Sequence, residues 1–195
     1  TLCSVHGAGL AREFQPRARH RRGHDQGMIS PPHVGRVIGR RPGKGQVRVR
    51  MTSMGLNRGD LLYCQGRYFF QSPENSRLGF EGAGIIDSLG SNLDNSEFNL
   101  GDRVAILPMS FDISSQGWFS DYGVYEASSL IPSPESVPDD ETGSVWMAFL
   151  TAWGGMVECG GLSKNETVVI TAASSSVGLA AIQVAKMQGA KVIPT

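Results

Sequence analysis

The sequence predicts an α/β chain in which a β-rich domain is followed by a connecting helix and the opening βαβ of a parallel sheet. Three observations predict it. Across residues 42–134, short apolar runs alternate with Gly, Asp and Pro, the texture of strands joined by tight turns. After Ser136, apolar residues recur every three or four positions, which is the period of a helix. Residues 167–193, "TVVITAASSSVGLAAIQVAKMQGAKVI", then read as strand, tight turn, helix and second strand.

Composition bounds the function classes. Of 195 residues, 40% are hydrophobic and 18% charged, as in soluble globular proteins. No apolar run reaches the roughly 18 residues that span a bilayer, so no membrane role is expected. Cys3, Cys64 and Cys159 are odd in number and widely spaced. They suggest neither a disulfide framework nor a zinc ribbon, and a reduced, cytoplasmic setting is expected.

The net charge of zero conceals an asymmetry. Residues 1–50 hold 11 of the 18 Lys and Arg, two of the 18 Asp and Glu, and all four histidines. Within that segment residues 1–41 lack any sustained period. They are expected to be a disordered or non-native basic leader. The cluster "RARHRRGH" lacks the interleaved aromatics of a nucleic-acid module, so nucleic-acid binding is not expected. Two domains follow, at residues 42–138 and 139–195.

The elements are then read in order. "GQVRVRM" alternates Val47, Val49 and Met51 with polar residues, a half-buried strand. "FEGAGIIDSLG" and "LGDRVAILP" are strands bounded by turn residues, and "DYGVYEASSLIPSP" is another with a proline stop. Residues 136–141 open a helix, with capping oxygens and acidic residues at its positive end. Val145, Ala148, Phe149, Ala152 and Met156 continue it. A strand at residues 167–171 leads to a helix beginning near Val177, carried by Leu179, Ile182, Gln183 and Lys186 and ended by Gly189.

The turn between that strand and helix is the candidate cofactor site. Dinucleotide-binding turns use three glycines: for the turn, for backbone approach to the pyrophosphate and for helix–strand packing. Here Ala173 and Ser175 stand at the first two positions and only Gly178 survives. Ser174, Ser175 and Ser176 supply hydroxyls beside the free amides of a helix N-terminus, and with Val177 they complete the predicted cradle. An ordinary Ser-rich βα turn is the alternative reading of the same residues.

Five ordered segments carry a resemblance. "GLNRGDLLYCQGRY", "RLGFEGAG", "LGDRVAILP", "WMAFLTAWGGMVE" and "VVITAASSSVGLAAIQVAK" resemble the medium-chain dehydrogenase/reductase superfamily, in particular its zinc-independent quinone oxidoreductase branch. The resemblance implies a GroES-like catalytic domain followed by the first βαβ of a Rossmann domain, with NADPH, or NADH, as cofactor. Zinc-dependent relatives place Cys, His and Cys where this sequence has Asn57, Phe80 and Met147, so no zinc and no other metal is expected. Without a Lewis acid, a conjugated acceptor such as a quinone or unsaturated carbonyl is the easier substrate.

The resemblance also implies site residues. Asn57 offers an amide to a substrate carbonyl, Tyr68 a ring and a hydroxyl, and Asp60 orients its neighbours. Thr151 matches a position beside the nicotinamide and its ribose. Bland alternatives stand beside each: a turn cap for Asn57, a core aromatic for Tyr68, a bond to its own helix for Thr151. An enoyl-thioester reductase, an alcohol dehydrogenase relative and a non-catalytic nucleotide- or RNA-interacting protein remain open functions. A full-length version is expected to be a homodimer, and the present length is expected to be a truncated, inactive form.

Overall fold

The structure, a computed structural model, describes residues 4–6, 40–70, 73, 75–93, 98–108 and 110–195. It divides into two compact units, residues 4–143 and residues 144–195. Among the described residues no helix is long and apolar enough to cross a membrane.

The first unit is built on an antiparallel sheet. Its long strand β2, Gln46–Gly55, buries Val47, Val49 and Met51 on one face, as the alternation requires. One edge of β2 pairs with β3, Gly82–Leu89, whose other edge takes β4, Arg103–Ile106. The opposite edge of β2 is shared by β1, Ser4–His6, at residues 53–55 and by β5, Tyr122–Glu126, at residues 46–50. β6, Leu130–Pro132, closes on β4.

The segment expected to form one strand before Pro134 forms β5 and β6, separated by a single turn of 3-10 helix at Ala127–Ser129. Ser4–His6, within the segment read as a disordered or non-native leader, pairs with β2; an unpaired strand end is a template for even a short segment. Residues 1–3 and 7–39 of the leader lie outside the described residues.

Trp118 and Tyr125, both fully buried, stack at 4.6 Å between centroids in the core beneath the sheet. Arg48 pairs Asp87 bidentately on the neighbouring strand, at 2.8 and 3.0 Å.

Between β2 and β3 runs α1, Arg58–Cys64, to which the sequence pattern assigns no element, and between β4 and β5 runs the short α2, Ile113–Gln116. The signal for α1 was present: Asn57 precedes the helix and Asp60 stands three residues later, the spacing of a capping pair.

The predicted helix from Ser136 is three pieces. α3, Asp139–Thr142, begins after Pro138 rather than Ser136 and carries Asp139, Asp140 and Glu141 in its first turn. Gly143 then leaves the helix, its amide donating to Ser53 Oγ at 2.9 Å. α4, Trp146–Trp153, belongs to the second unit and continues as a π-helical turn at Gly154–Cys159.

The second unit is completed by β7, Thr167–Ile170, α5, Ser176–Met187, and β8, Lys191–Pro194, with β7 and β8 parallel. α4 and α5 share a core of Ala148, Ala152, Ile170, Ala180, Ala181 and Val184. The helix carried by Leu179, Ile182, Gln183 and Lys186 forms as expected, and its buried stripe is alanine-rich, through Ala181 and Ala185. Small side chains let the helix axis lie close to its neighbours, and a search for large apolar residues overlooks such a face. Gly189, at φ +74°, follows the helix as expected.

Candidate functional site

The site residues fall into one group in each unit. In the first unit Asn57 ends the extended stretch after β2 and precedes α1. Its backbone amide donates to Asp60 Oδ2 at 2.9 Å, and its side-chain Nδ2 donates to Glu81 Oε1 at 3.0 Å. Asp60 Oδ1 in turn accepts the Phe80 amide at 3.2 Å. Two buried carboxylates, Asp60 at 5% exposure and Glu81 at 3%, thus bracket a half-buried Asn57. Burial pushes the Asp60 carboxyl up to about 7 against stabilising bonds from the backbone amides of Asn57, Phe80 and Gly79, and the nearby Glu81 adds to the rise.

Asp60 therefore orients the backbone of its neighbours, tying the start of α1 to the chain entering β3. Phe80, at the position examined for a histidine ligand, is 1% exposed and packs its ring on Tyr63 and Tyr68. Tyr68 sits in an aromatic group, 4.2 Å from Phe69, 4.9 Å from Phe70 and 5.0 Å from Phe80 between centroids. It is partly exposed, and burial with the Asp60 charge raises its phenol. Among the described residues no three His, Cys, Asp or Glu side chains gather as a metal would need.

In the second unit the bend between β7 and α5 has a definite backbone. Ala172 takes the left-handed conformation at φ +52°, so the strained position is Ala172 and not Ala173, where the glycine pattern had placed it. The Ser175 amide closes the turn on the Ala172 carbonyl at 2.9 Å, and Ser175 Oγ caps the helix by accepting the Gly178 amide at 3.0 Å. Gly178 is the tight glycine of the pattern. A Cβ there would lie 2.5 Å from the Ala172 carbonyl oxygen and 2.8 Å from Ala173 Cα.

Residues 174–177 are exposed. The Ala173 amide is taken by the Thr195 carbonyl, but the amides of Ser174, Ser176 and Val177 have no partner among the described residues. Neither do the hydroxyls of Ser174 and Ser176. Unpaired donors at the positive end of a 12-residue helix are groups that an anion would satisfy. Thr151, in α4, donates its hydroxyl to the Met147 carbonyl at 2.6 Å, so towards any ligand it keeps acceptor lone pairs only. Glu81 stands beside the position of the missing histidine ligand, where a single carboxylate does not hold a metal; the structure shows it bonded to Asn57 instead. Ala172, in the left-handed conformation, carried no mark of its own in the sequence.

Known proteins resemble this chain along most of its length. Residues 43–138 match the alcohol dehydrogenase GroES-like domain. A subunit of the phenolphthiocerol/phthiocerol polyketide synthase of Mycobacterium tuberculosis is 33% identical over 169 residues, 87% of this chain but 7% of that protein. Acryloyl-coenzyme A reductase of Sulfurisphaera tokodaii is 32% identical, across 78% of this chain and 51% of its own length. The chain thus spans about half the length of that reductase and a small part of the synthase. The solved quinone oxidoreductase of Pseudomonas syringae superposes with a TM-score of 0.67 at 30% identity, covering 80% of this chain and 46% of its own.

Proposed function

The chain belongs, through its alcohol dehydrogenase GroES-like domain, to the medium-chain dehydrogenase/reductase superfamily, and on that premise we propose that it serves an NAD(P)H-dependent reduction of conjugated carbonyl compounds without zinc. The observation that carries the reading is the exposed 174–177 bend, with three unpaired amides at the start of α5. A diphosphate satisfies those amides and gains from the helix dipole. Gly178 lets the helix start press against the strand end, which keeps the bend narrow. When bound, the reduced nicotinamide supplies a hydride.

The remaining work belongs to this chain's own side chains. Reduction of a conjugated carbonyl places negative charge on its oxygen, and a preset donor lowers that barrier. One N–H of Asn57 is held by Glu81, and the other is the donor we assign to the oxygen. Tyr68 offers a second donor, a hydroxyl without a partner among the described residues, beside an aromatic surface suited to a flat acceptor. Thr151 accepts a hydrogen bond from the cofactor through its free lone pairs.

Two acceptor classes fit: quinones and enoyl thioesters. The second is favoured by the similarity to acryloyl-coenzyme A reductase, whose named substrate is an unsaturated thioester. NADPH as the preferred carrier, a cytoplasmic setting and a homodimer are parts of the same proposal.

The test separates binding from turnover. NADPH fluorescence is titrated with the protein and with Ser176→Glu, which sets a negative charge in the cradle. NADPH oxidation is then followed with 1,4-benzoquinone, crotonyl-CoA and a saturated ketone, with and without EDTA. The reading requires binding that Ser176→Glu weakens, oxidation confined to the conjugated acceptors, and indifference to EDTA. Binding unaffected by Ser176→Glu, or activity that EDTA abolishes, rejects it.

A further inference from the structure

The Asn57 side-chain amide is held by a buried carboxylate, Glu81. Glu81 is 3% exposed, and burying a carboxylate costs several kcal/mol unless its partners compensate. An apolar residue of similar size would fill the space without that cost. The backbone makes room for the acid: a Cβ at Gly55 would lie 2.3 Å from Glu81 Oε1. So the last residue of β2 is kept bare where the carboxylate sits.

The bond from Asn57 Nδ2 to Glu81 Oε1, at 3.0 Å, has a consequence that a neutral partner would not impose. A carboxylate only accepts. It selects the amide's nitrogen end, so the carboxamide is held in one of its two flip states. Asp60 fixes the Asn57 backbone at the same time, through the 2.9 Å bond to the Asn57 amide. Backbone and side chain of Asn57 are then each fastened to a separate acid.

We propose that Glu81 is a positioning residue: it orients the Asn57 carboxamide so that the second N–H is presented to the acceptor's carbonyl oxygen. This rests on the reading that Asn57 meets that oxygen. Glu81 itself touches neither acceptor nor cofactor in this proposal.

The test has two parts. The first looks at the bond alone, in ¹⁵N-resolved NMR spectra of the protein without ligand. One Asn57 side-chain amide proton is expected well downfield of its partner. It should return to an ordinary position in Glu81→Met and remain partly displaced in Glu81→Gln, whose carbonyl still accepts. An Asn57 pair unchanged in Glu81→Met overturns the inference.

The second part is a double-mutant cycle on turnover with the better conjugated acceptor. Glu81→Met is expected to lower kcat roughly ten- to a hundredfold, as a misplaced donor does, with NADPH affinity unchanged. Glu81→Gln should recover most of the loss. In an Asn57→Ala background, Glu81→Met should cost nothing further, because the group it positions is gone. Additive losses identify Glu81 as merely structural and overturn the inference while leaving the proposed function standing. Unchanged turnover in Asn57→Ala removes the acceptor role of Asn57, and this inference falls with it.

Discussion

Asp60 shows how one residue couples stability to pH. Its carboxyl lies at about 7 in the folded chain, chiefly because burial disfavours the charge, against an ordinary value of 3.8. The folded state therefore holds a proton that the unfolded state releases between those values. Stability is full below about pH 4 and falls as pH rises towards 7, by at most about 1.4 kcal/mol per unit. Urea denaturation at a series of pH values should show that decline, and Asp60→Asn should flatten it. A midpoint that rises from pH 4 to 7 in the unaltered chain would contradict this account. Ala172 makes the opposite kind of prediction. At φ +52° and exposed, it bears a left-handed cost of about 1–2 kcal/mol. Ala172→Gly should stabilise the chain by roughly 0.5–1 kcal/mol once the extra freedom of the unfolded glycine is deducted.

At the scale of elements, the βα bend and the helix it starts stand or fall together. Ser175 is both the residue that closes the turn and the cap of α5, through the 3.0 Å bond from the Gly178 amide. Ser175→Ala should cost about 1 kcal/mol, read as a lower urea midpoint. Gly178→Ala should cost about 1–3 kcal/mol, because the atoms its Cβ would meet at 2.5 and 2.8 Å are backbone and cannot swing away. It should also weaken NADPH binding more than Ser175→Ala does, since relief requires the helix start to retreat from the bend. Equal effects of the two substitutions on affinity would mean that the bend's shape does not govern binding. These two residues also show where sequence was informative. The β2 alternation and the strand–turn–helix order were readable, because each follows from a local period. Gly178 was readable because only one glycine of three remained. The alanine stripe of α5, the break of the connecting helix at Gly143 and the Glu81–Asn57 bond were not. The last two join residues distant in sequence, Ser53 with Gly143 and Asn57 with Glu81, and the first is a face of small side chains that only its packing against α4 reveals.

For the whole molecule, the two units differ in how their backbones are tied. The first has β2 paired on both edges, by β3 on one side and by β1 and β5 on the other. The second rests on two parallel strands, with Val169 at 59% and Ile193 at 49% exposure, and on an alanine-rich helical core that buries little area per residue. Sheets of two strands contribute little stability by themselves, so the second unit should open at lower free energy than the first. Native-state hydrogen exchange is the measurement: amides of β7, α5 and β8 should exchange through local openings well before those of β2 and β3. A ligand that binds only the closed second unit shifts that balance by mass action, about 2.7 kcal/mol at a hundredfold excess over Kd. Saturating NADPH should therefore slow exchange across residues 167–194 while leaving β2 and β3 unchanged. Protection that rose uniformly over both units would place the cofactor's contribution elsewhere, and protection unchanged in both would remove the 174–177 bend as its cradle.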